Sequence, residues 1–329
     1  MAAPVRLGVL GAGAIAKYGL FAPISRVGGI DVVAVGARDA ARASEYAKEN
    51  GIPRGDTYQA LLDDPDIEAI YVALPNSLHC EWTVKALEAG KAVLCEKPFG
   101  ANEADARIMA EAAERTGGIL VEALHWRYHP QSVRMKQIIE DGTLGALREI
   151  NFNFLVPGKY FTADDIRFSI ALAGGATMDL GYYAISFLRY VGGEPQITSA
   201  VATEIKPGID GTMKAEMRFP GGCIGRMDLS LNYDADDFII NAEIIGDRGR
   251  MILENPVHPS RGGGIELEIG GVRTVEAPDK RATYDWQALG FAANVREGTP
   301  VLATADEAIA NMRVIDNVYR AAGMKPRGT

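Results

Sequence analysis

Through its first 124 residues the chain alternates short apolar runs with helical segments, and the first run ends on a glycine-rich turn. VRLGVLG (5–11), DVVAVGA (31–37), EAIYVAL (68–74), KAVLCE (91–96) and ILVEAL (119–124) read as buried strands. Between them, 39–50 reads as a helix stopped by Gly51, 79–90 as one closed by Gly90, and 102–118 as one capped by Asn102. Buried strands alternating with helices predict an α/β fold with a parallel, doubly wound sheet. Gly11, Gly13 and Ala16 form G-x-G-x-x-A directly after the first strand, with Ala14 and Ile15 opening the helix. The first glycine permits the tight turn, the second lets backbone approach a pyrophosphate, and the small third residue lets helix pack on strand. At this position the motif predicts a Rossmann domain that binds a dinucleotide at a helix N-terminus.

The pattern changes near residue 125. After a helix over 130–141, the runs 147–155, 197–205, 211–219, 223–231 and 238–246 follow one another with turn signals between them, interrupted by a helical segment at 174–193. This predicts an α+β domain built on a large, open, mainly antiparallel sheet. With 329 residues the chain is too long for one ordinary core. The expected division is 1–125 and 126–329, with a last helix (304–323) packing back on the first domain. Alternating apolar positions in GTMKAEMRF and FIINAEIIG predict a sheet face that another copy covers, as a homodimer or homotetramer.

Charge and cysteine usage exclude several partners. The net charge is −9 and no Lys/Arg cluster stands out, so neither nucleic acid nor an anionic membrane is an expected partner. Cys80, Cys95 and Cys223 have no C-x-x-C spacing, which argues against a disulfide framework or zinc site and for a reduced, cytoplasmic setting. No signal peptide or membrane span is read. The histidines (79, 125, 129, 258) form no ligand pattern, so no metal is expected.

Three places carry chemistry. After the second strand stands Ala37-Arg38-Asp39, where an NAD site usually has an acid. Arg38 can pair with a 2′-phosphate, or it is a solvated loop residue while Asp39 caps the next helix; NADP is the preferred cofactor and NAD the alternative. The fourth strand ends on Glu96-Lys97-Pro98. This is either a surface turn or a lysine fixed at the sheet's carboxyl edge, able to stabilise a developing alkoxide. In the helical segment, Asp179 and Tyr183 are four apart and share a face, and Gly181 leaves room for the cofactor or another backbone. Tyr183 reads as an acid–base phenol or as a core aromatic. Asp165 and Arg167, just upstream, either touch substrate hydroxyls or are solvated.

GVLGAGAIA (8–16), ALPNSLHCEWTVKALEAGKAVLCEKP (73–98), EALHWRYHPQ (122–131) and GGATMDLGYYAISFLRYVGG (174–193) together resemble the glucose–fructose oxidoreductase and inositol dehydrogenase (Gfo/Idh/MocA) family over nearly the full length. The branch it looks closest to includes glucose–fructose oxidoreductase, xylose dehydrogenases and dimeric dihydrodiol dehydrogenases. The resemblance implies an NAD(P)-dependent oxidoreductase moving a hydride to or from a carbinol carbon of a sugar, polyol or related cyclic alcohol. It implies Lys97, Asp179 and Tyr183 as the catalytic residues. Leu74, Pro75, Asn76, His79, Glu96, Trp126 and Arg127 are implied to line the cofactor. Ala37-Arg38 keeps the arginine of the Ser-Arg pair common in the xylose dehydrogenases. In the implied reaction Tyr183 moves the hydroxyl proton while Lys97 lowers its pKa and polarises the oxygen. The alternatives are a trans-dihydrodiol dehydrogenase, a closed-cycle NAD-dependent glycosidase, and a non-catalytic cofactor-binding sensor.

Overall fold

The computed structural model describes residues 3–329, which form two compact units. The first unit runs to Tyr128 and also takes in Tyr284–Ile309. Its strands are β1 (Val5–Leu10), β2 (Ile30–Ala37), β3 (Gly55–Thr57), β4 (Ala69–Val72), β5 (Ala92–Glu96) and β6 (Leu120–Ala123). They form an all-parallel sheet in the order β3-β2-β1-β4-β5-β6. The five predicted strands are all present. The sixth, β3, has no apolar run to announce it and pairs only along the end of β2, where Val35 faces Gly55. Connecting segments are α1 (Ala14–Ala16), continuing through a π-helical turn (Lys17–Phe21) into α2 (Ala22–Val27), then α3 (Ala40–Glu49), α4 (Tyr58–Asp63), α5 (His79–Glu88) and α6 (Glu103–Thr116). The strand order reverses between β1 and β4, and that switch point is where open α/β sheets bind ligands.

The second unit comprises His129–Thr283 and Ala310–Thr329. It opens with α7 (Pro130–Glu140) and β7 (Leu147–Pro157). Two short helical pieces follow, α8 (Ala176–Asp179) and α9 (Gly181–Gly192). Then come β8 (Gln196–Lys206), β9 (Ile209–Arg218), β10 (Ile224–Tyr233), β11 (Ile239–Gly246), β12 (Gly249–Glu254), β13 (Gly264–Ile269) and β14 (Val272–Glu276). The eight strands order as β14-β13-β12-β11-β7-β10-β9-β8. Pairing is antiparallel except between β7 and β10, which run parallel.

One expectation about this sheet needs correction. Its alternating apolar positions do not await a second copy: Phe152, Met213, Ala215, Met217 and Leu229 are already buried, and α9 packs on β7 and β10 with the Phe152 and Phe187 rings 5.1 Å apart. The positions between them carry ion pairs. Arg226 reaches Glu149 at 2.6 Å and Glu216 at 3.2 Å, and Arg250 reaches Glu268 at 2.7 Å and Glu243 at 3.1 Å.

Residues 283–297, to which the sequence assigns no element, form α10 (Thr283–Glu297). Its Ala288 and Phe291 enter the hydrophobic core of the first unit, and Asp285 accepts from Arg26 Nε at 3.0 Å. The last helix, α11 (Ala305–Ala321), belongs to the first unit through Ile309 and to the second from Ala310. No helix among the described residues is long and apolar enough to cross a membrane.

Candidate active site

In the first unit the candidate residues gather on the loops that follow the carboxyl ends of the parallel strands. Gly11 ends β1 with φ +119°, and a Cβ there would lie 2.2 Å from the Ala73 carbonyl oxygen beyond β4. Only glycine permits that approach at the switch point. Gly13, the N-cap of α1, has nothing within 4 Å of where its Cβ would be, and the Tyr46 hydroxyl donates to its carbonyl at 2.8 Å. Ala14 is exposed, Ile15 half-buried and Ala16 fully buried, so the small third residue seats the helix on the sheet.

At the end of β2, Ala37 is buried and Arg38 exposed. Asp39 is occupied as the cap of α3, accepting from Ala41 N at 2.8 Å and Arg42 N at 3.4 Å. Arg42 adds a second cation here, its Nη2 lying 3.4 Å from the Ala12 carbonyl. Burial raises the Tyr58 phenol, while the charges of Arg38 and Arg42 act against that shift, so both cations lie around Tyr58.

Lys97 is half-buried, and both its neighbours are fixed. Glu96 is buried, accepting from the Tyr71 hydroxyl and, at 3.2 Å, from Lys97 N. Burial foremost, then the Glu96 charge, pushes the Tyr71 phenol well above its ordinary value, so Tyr71 stays a donor. On the other side, the fully buried His79 bridges two main-chain carbonyls: Nδ1 lies 2.7 Å from Pro98 O and Nε2 2.8 Å from Leu74 O. His79 thus ties the loop after β4 to the turn after β5. Burial lowers its pKa, while the hydrogen bonds to the Pro98 and Leu74 carbonyls act against that shift. Leu74 is buried, while Pro75 and Asn76 stand half-buried beside it. Beyond β6, Trp126 is buried and the Arg127 guanidinium lies 5.6 Å from its ring centroid.

In the second unit the predicted helix 174–193 is two pieces joined at Leu180, whose helical dihedrals (φ −90°, ψ −40°) carry one path from Asp179 to Tyr183. Tyr183 is buried, with the Phe154 ring 6.1 Å away. Gly181 serves packing, which corrects the reading of it as a gap for cofactor or backbone: a Cβ would meet the Leu229 side chain of β10 at 2.9 Å and Thr177 at 3.2 Å. Asp165 and Arg167 are not loosely solvated. Arg167 Nε donates to Asp179 at 2.5 Å and Nη1 to Asp165 at 3.0 Å. The Asp179 charge raises the Arg167 pKa further.

Residues 5–124 match the model of an oxidoreductase family with an NAD-binding Rossmann fold, and residues 132–252 match the GFO/IDH/MocA C-terminal domain. The chain belongs to the GFO/IDH/MocA oxidoreductase family. It is 32% identical over 322 residues to D-xylose 1-dehydrogenase (NADP(+)) 2 of Haloferax volcanii, covering 96% of each chain. It is 36% identical over 228 residues to trans-1,2-dihydrobenzene-1,2-diol dehydrogenase of Bos taurus, covering 68% of this chain and 66% of that one. A 3-ketoreductase from Actinomadura kijaniata, solved with NADP and TDP-benzene, superposes with a TM-score of 0.88 at 25% identity, covering 97% of this chain and 98% of that one.

The chain is therefore an oxidoreductase of that family with an NAD(P)-binding Rossmann domain. The residues present fit the dinucleotide. The open space at Gly13 leaves room for a pyrophosphate against the start of α1, and Gly11 lets the turn pack against the Ala73 carbonyl. Sequence reasoning missed Tyr71, which fixes Glu96, and Arg42. For Arg42 a signal existed, since it stands four residues after Arg38 at the start of a helix.

Proposed function

We propose that this oxidoreductase is an NADP-preferring dehydrogenase or reductase of sugars and related polyols, with Lys97, Tyr183 and Asp179 as its catalytic residues. The observation that carries the reading is Lys97 itself. The half-buried residue follows β5 between a Glu96 held by Tyr71 and a Pro98 held by His79. A lysine on a backbone so anchored at the carboxyl edge suits a developing alkoxide. Tyr183 takes the hydroxyl proton in oxidation and returns it in reduction. Asp179, oriented by Arg167, accepts a hydrogen bond from a substrate hydroxyl. The bound nicotinamide supplies the hydride acceptor or donor.

The preference for NADP is supported by Arg38 and Arg42 around Tyr58 and by Asp39, whose carboxylate is already taken up in capping α3. The sugar assignment is supported by the full-length likeness to a D-xylose dehydrogenase. Dihydrodiol oxidation is the second reading, favoured by the 36% identity to the bovine enzyme. We place the protein in the cytoplasm as a homodimer or homotetramer formed through the parts of the second sheet that α9 does not cover. Exposed Val201 on edge strand β8 and Val272 and Val275 on edge strand β14 support that interface.

The deciding experiment follows nicotinamide absorbance with NADP and then NAD against aldoses, inositols and cyclic diols. Turnover of aldoses with NADP is expected. Turnover confined to cyclic diols favours the second reading. No turnover, with nicotinamide copurifying, overturns both in favour of a closed cycle or a cofactor-binding sensor. Sedimentation tests the assembly, and a monomer overturns it.

A further inference from the structure

The segment leading to Asp179 and Tyr183 enters its helix through a turn that the backbone does not favour. Ala173 has φ +57° and Gly175 φ +128°. A non-glycine residue in the left-handed region is held there by its surroundings. Both glycines of Gly174-Gly175 are forced by close neighbours. A Cβ on Gly174 would lie 2.3 Å from the Arg167 carbonyl oxygen. A Cβ on Gly175 would lie 2.1 Å from Asp210 Oδ1 and 2.8 Å from both Arg327 Nη2 and the Tyr319 hydroxyl.

Asp210, near the start of β9, has no exposed surface and Arg327 almost none. The Asp210 carboxylate accepts four hydrogen bonds. Oδ2 receives Thr177 N and Thr177 Oγ1, each at 2.7 Å. Oδ1 receives Arg327 Nη2 at 2.6 Å and the Tyr319 hydroxyl at 2.9 Å. Arg327 Nε donates to Gly174 O at 2.7 Å, and its guanidinium lies 4.2 Å from the Tyr319 ring centroid. One buried ion pair therefore grips the turn at Gly174 and the helix start at Thr177. From there Leu180 N bonds Ala176 O at 2.8 Å, Tyr183 N bonds Leu180 O at 3.1 Å, and Asn311 Nδ2 bonds Tyr182 O at 3.2 Å.

A buried ion pair is a poor way to gain stability, because its desolvation cost offsets most of its attraction. Its value lies in fixed geometry, since four donors converging on one carboxylate admit a single arrangement. We propose that Asp210 and Arg327 are positioning residues for the reaction: they hold Gly174–Thr177, and through that segment they set the placement of Asp179 and Tyr183. Neither touches the reacting groups. The part concerning the reaction rests on Asp179 and Tyr183 being catalytic, as proposed above.

The test compares the full chain with Arg327→Met, Arg327→Lys and Asp210→Asn, with NADPH bound, by amide hydrogen exchange and steady-state kinetics. Arg327→Met is expected to speed exchange at Thr177, Asp179 and Leu180 while peptides from β9 and β10 keep their protection. It is also expected to lower kcat by about 10²-fold, the usual result of misplaced catalytic groups, with the cofactor KM unchanged. Arg327→Lys keeps the charge but loses the two-point grip, and should recover part of kcat. Exchange that is unchanged, or that rises equally across the whole unit, overturns the proposal. So does faster exchange at α8 with kcat intact. Should the wild type turn over no substrate, the functional reading fails, and exchange alone still decides whether this pair holds the segment.

Discussion

Arg167 donates its Nε to the Asp179 carboxylate at 2.5 Å while its Nη1 holds Asp165 at 3.0 Å. The arginine thereby faces two acids, and Asp179 is held by its Nε. A carboxylate held in this way can orient a hydroxyl without first paying the entropy of ordering itself.

Arg167→Met should remove the Nε hydrogen bond that orients the half-buried Asp179 carboxylate. The expected result is a fall in kcat/KM of about 10–10²-fold with NADP affinity unchanged. Arg167→Lys keeps the charge but cannot present the same forked donors, and should fall between the two. Steady-state kinetics beside a fluorescence titration of NADPH separates these outcomes. A loss of cofactor affinity would place Arg167 in a different role.

On the proposed mechanism Tyr183→Phe removes the proton carrier and keeps the packing, so kcat should drop by about 10²–10⁴-fold. On the same mechanism Lys97→Met removes the cation that stabilises the developing alkoxide and should cost about 10²–10³-fold. Both variants should melt within a few degrees of the wild type, because neither change leaves a large cavity. Near-full turnover by Lys97→Met would remove it from the mechanism.

Arg38 and Arg42 lie around Tyr58, and Asp39 is committed to capping α3. Replacing both arginines by Ala should weaken NADP by about 10–10²-fold, as expected for losing charged hydrogen bonds to a phosphate, and leave NAD nearly untouched. The ratio of kcat/KM for the two cofactors reads this directly. A parallel loss for both would mean that the arginines do not read the 2′-phosphate.

What was legible in the sequence is local. G-x-G-x-x-A behind a strand and a Pro that ends a strand are statements about adjacent residues, and the strands of the first sheet follow from apolar runs. Residues joined only by folding were not legible. Asp210 and Arg327 are 117 positions apart, and nothing in the spacing of either announces a buried pair. The helix α10 escaped because its inward positions include Asp285, Gln287 and Asn294, which blur the apolar period. The cover of the second sheet was misread because alternation shows that one face is buried and does not show by what.

Arg296 on α10 forms a forked pair with Glu68, Nη1 to Oε1 at 2.7 Å and Nη2 to Oε2 at 2.5 Å. Chiefly through that hydrogen bonding, the Glu68 carboxyl falls from its ordinary 4.5 to about 2. A carboxyl depressed in the folded state binds its proton more readily when unfolded. The stability it contributes is therefore present in full above about pH 4.5 and is lost as pH falls from there toward 2. Glu68 is partly exposed, so solvent screening reduces the contribution to roughly 0.5–1 kcal/mol. Arg296→Met should thus lower Tm by about 1–3 °C at pH 7. The gap between variant and wild type should narrow steadily below pH 4.5 and close near pH 2, as followed by thermal melts across that range. A gap that stays constant down to pH 2 would assign the effect of Arg296 to packing and to its bonds with the Ala3 and Pro4 carbonyls.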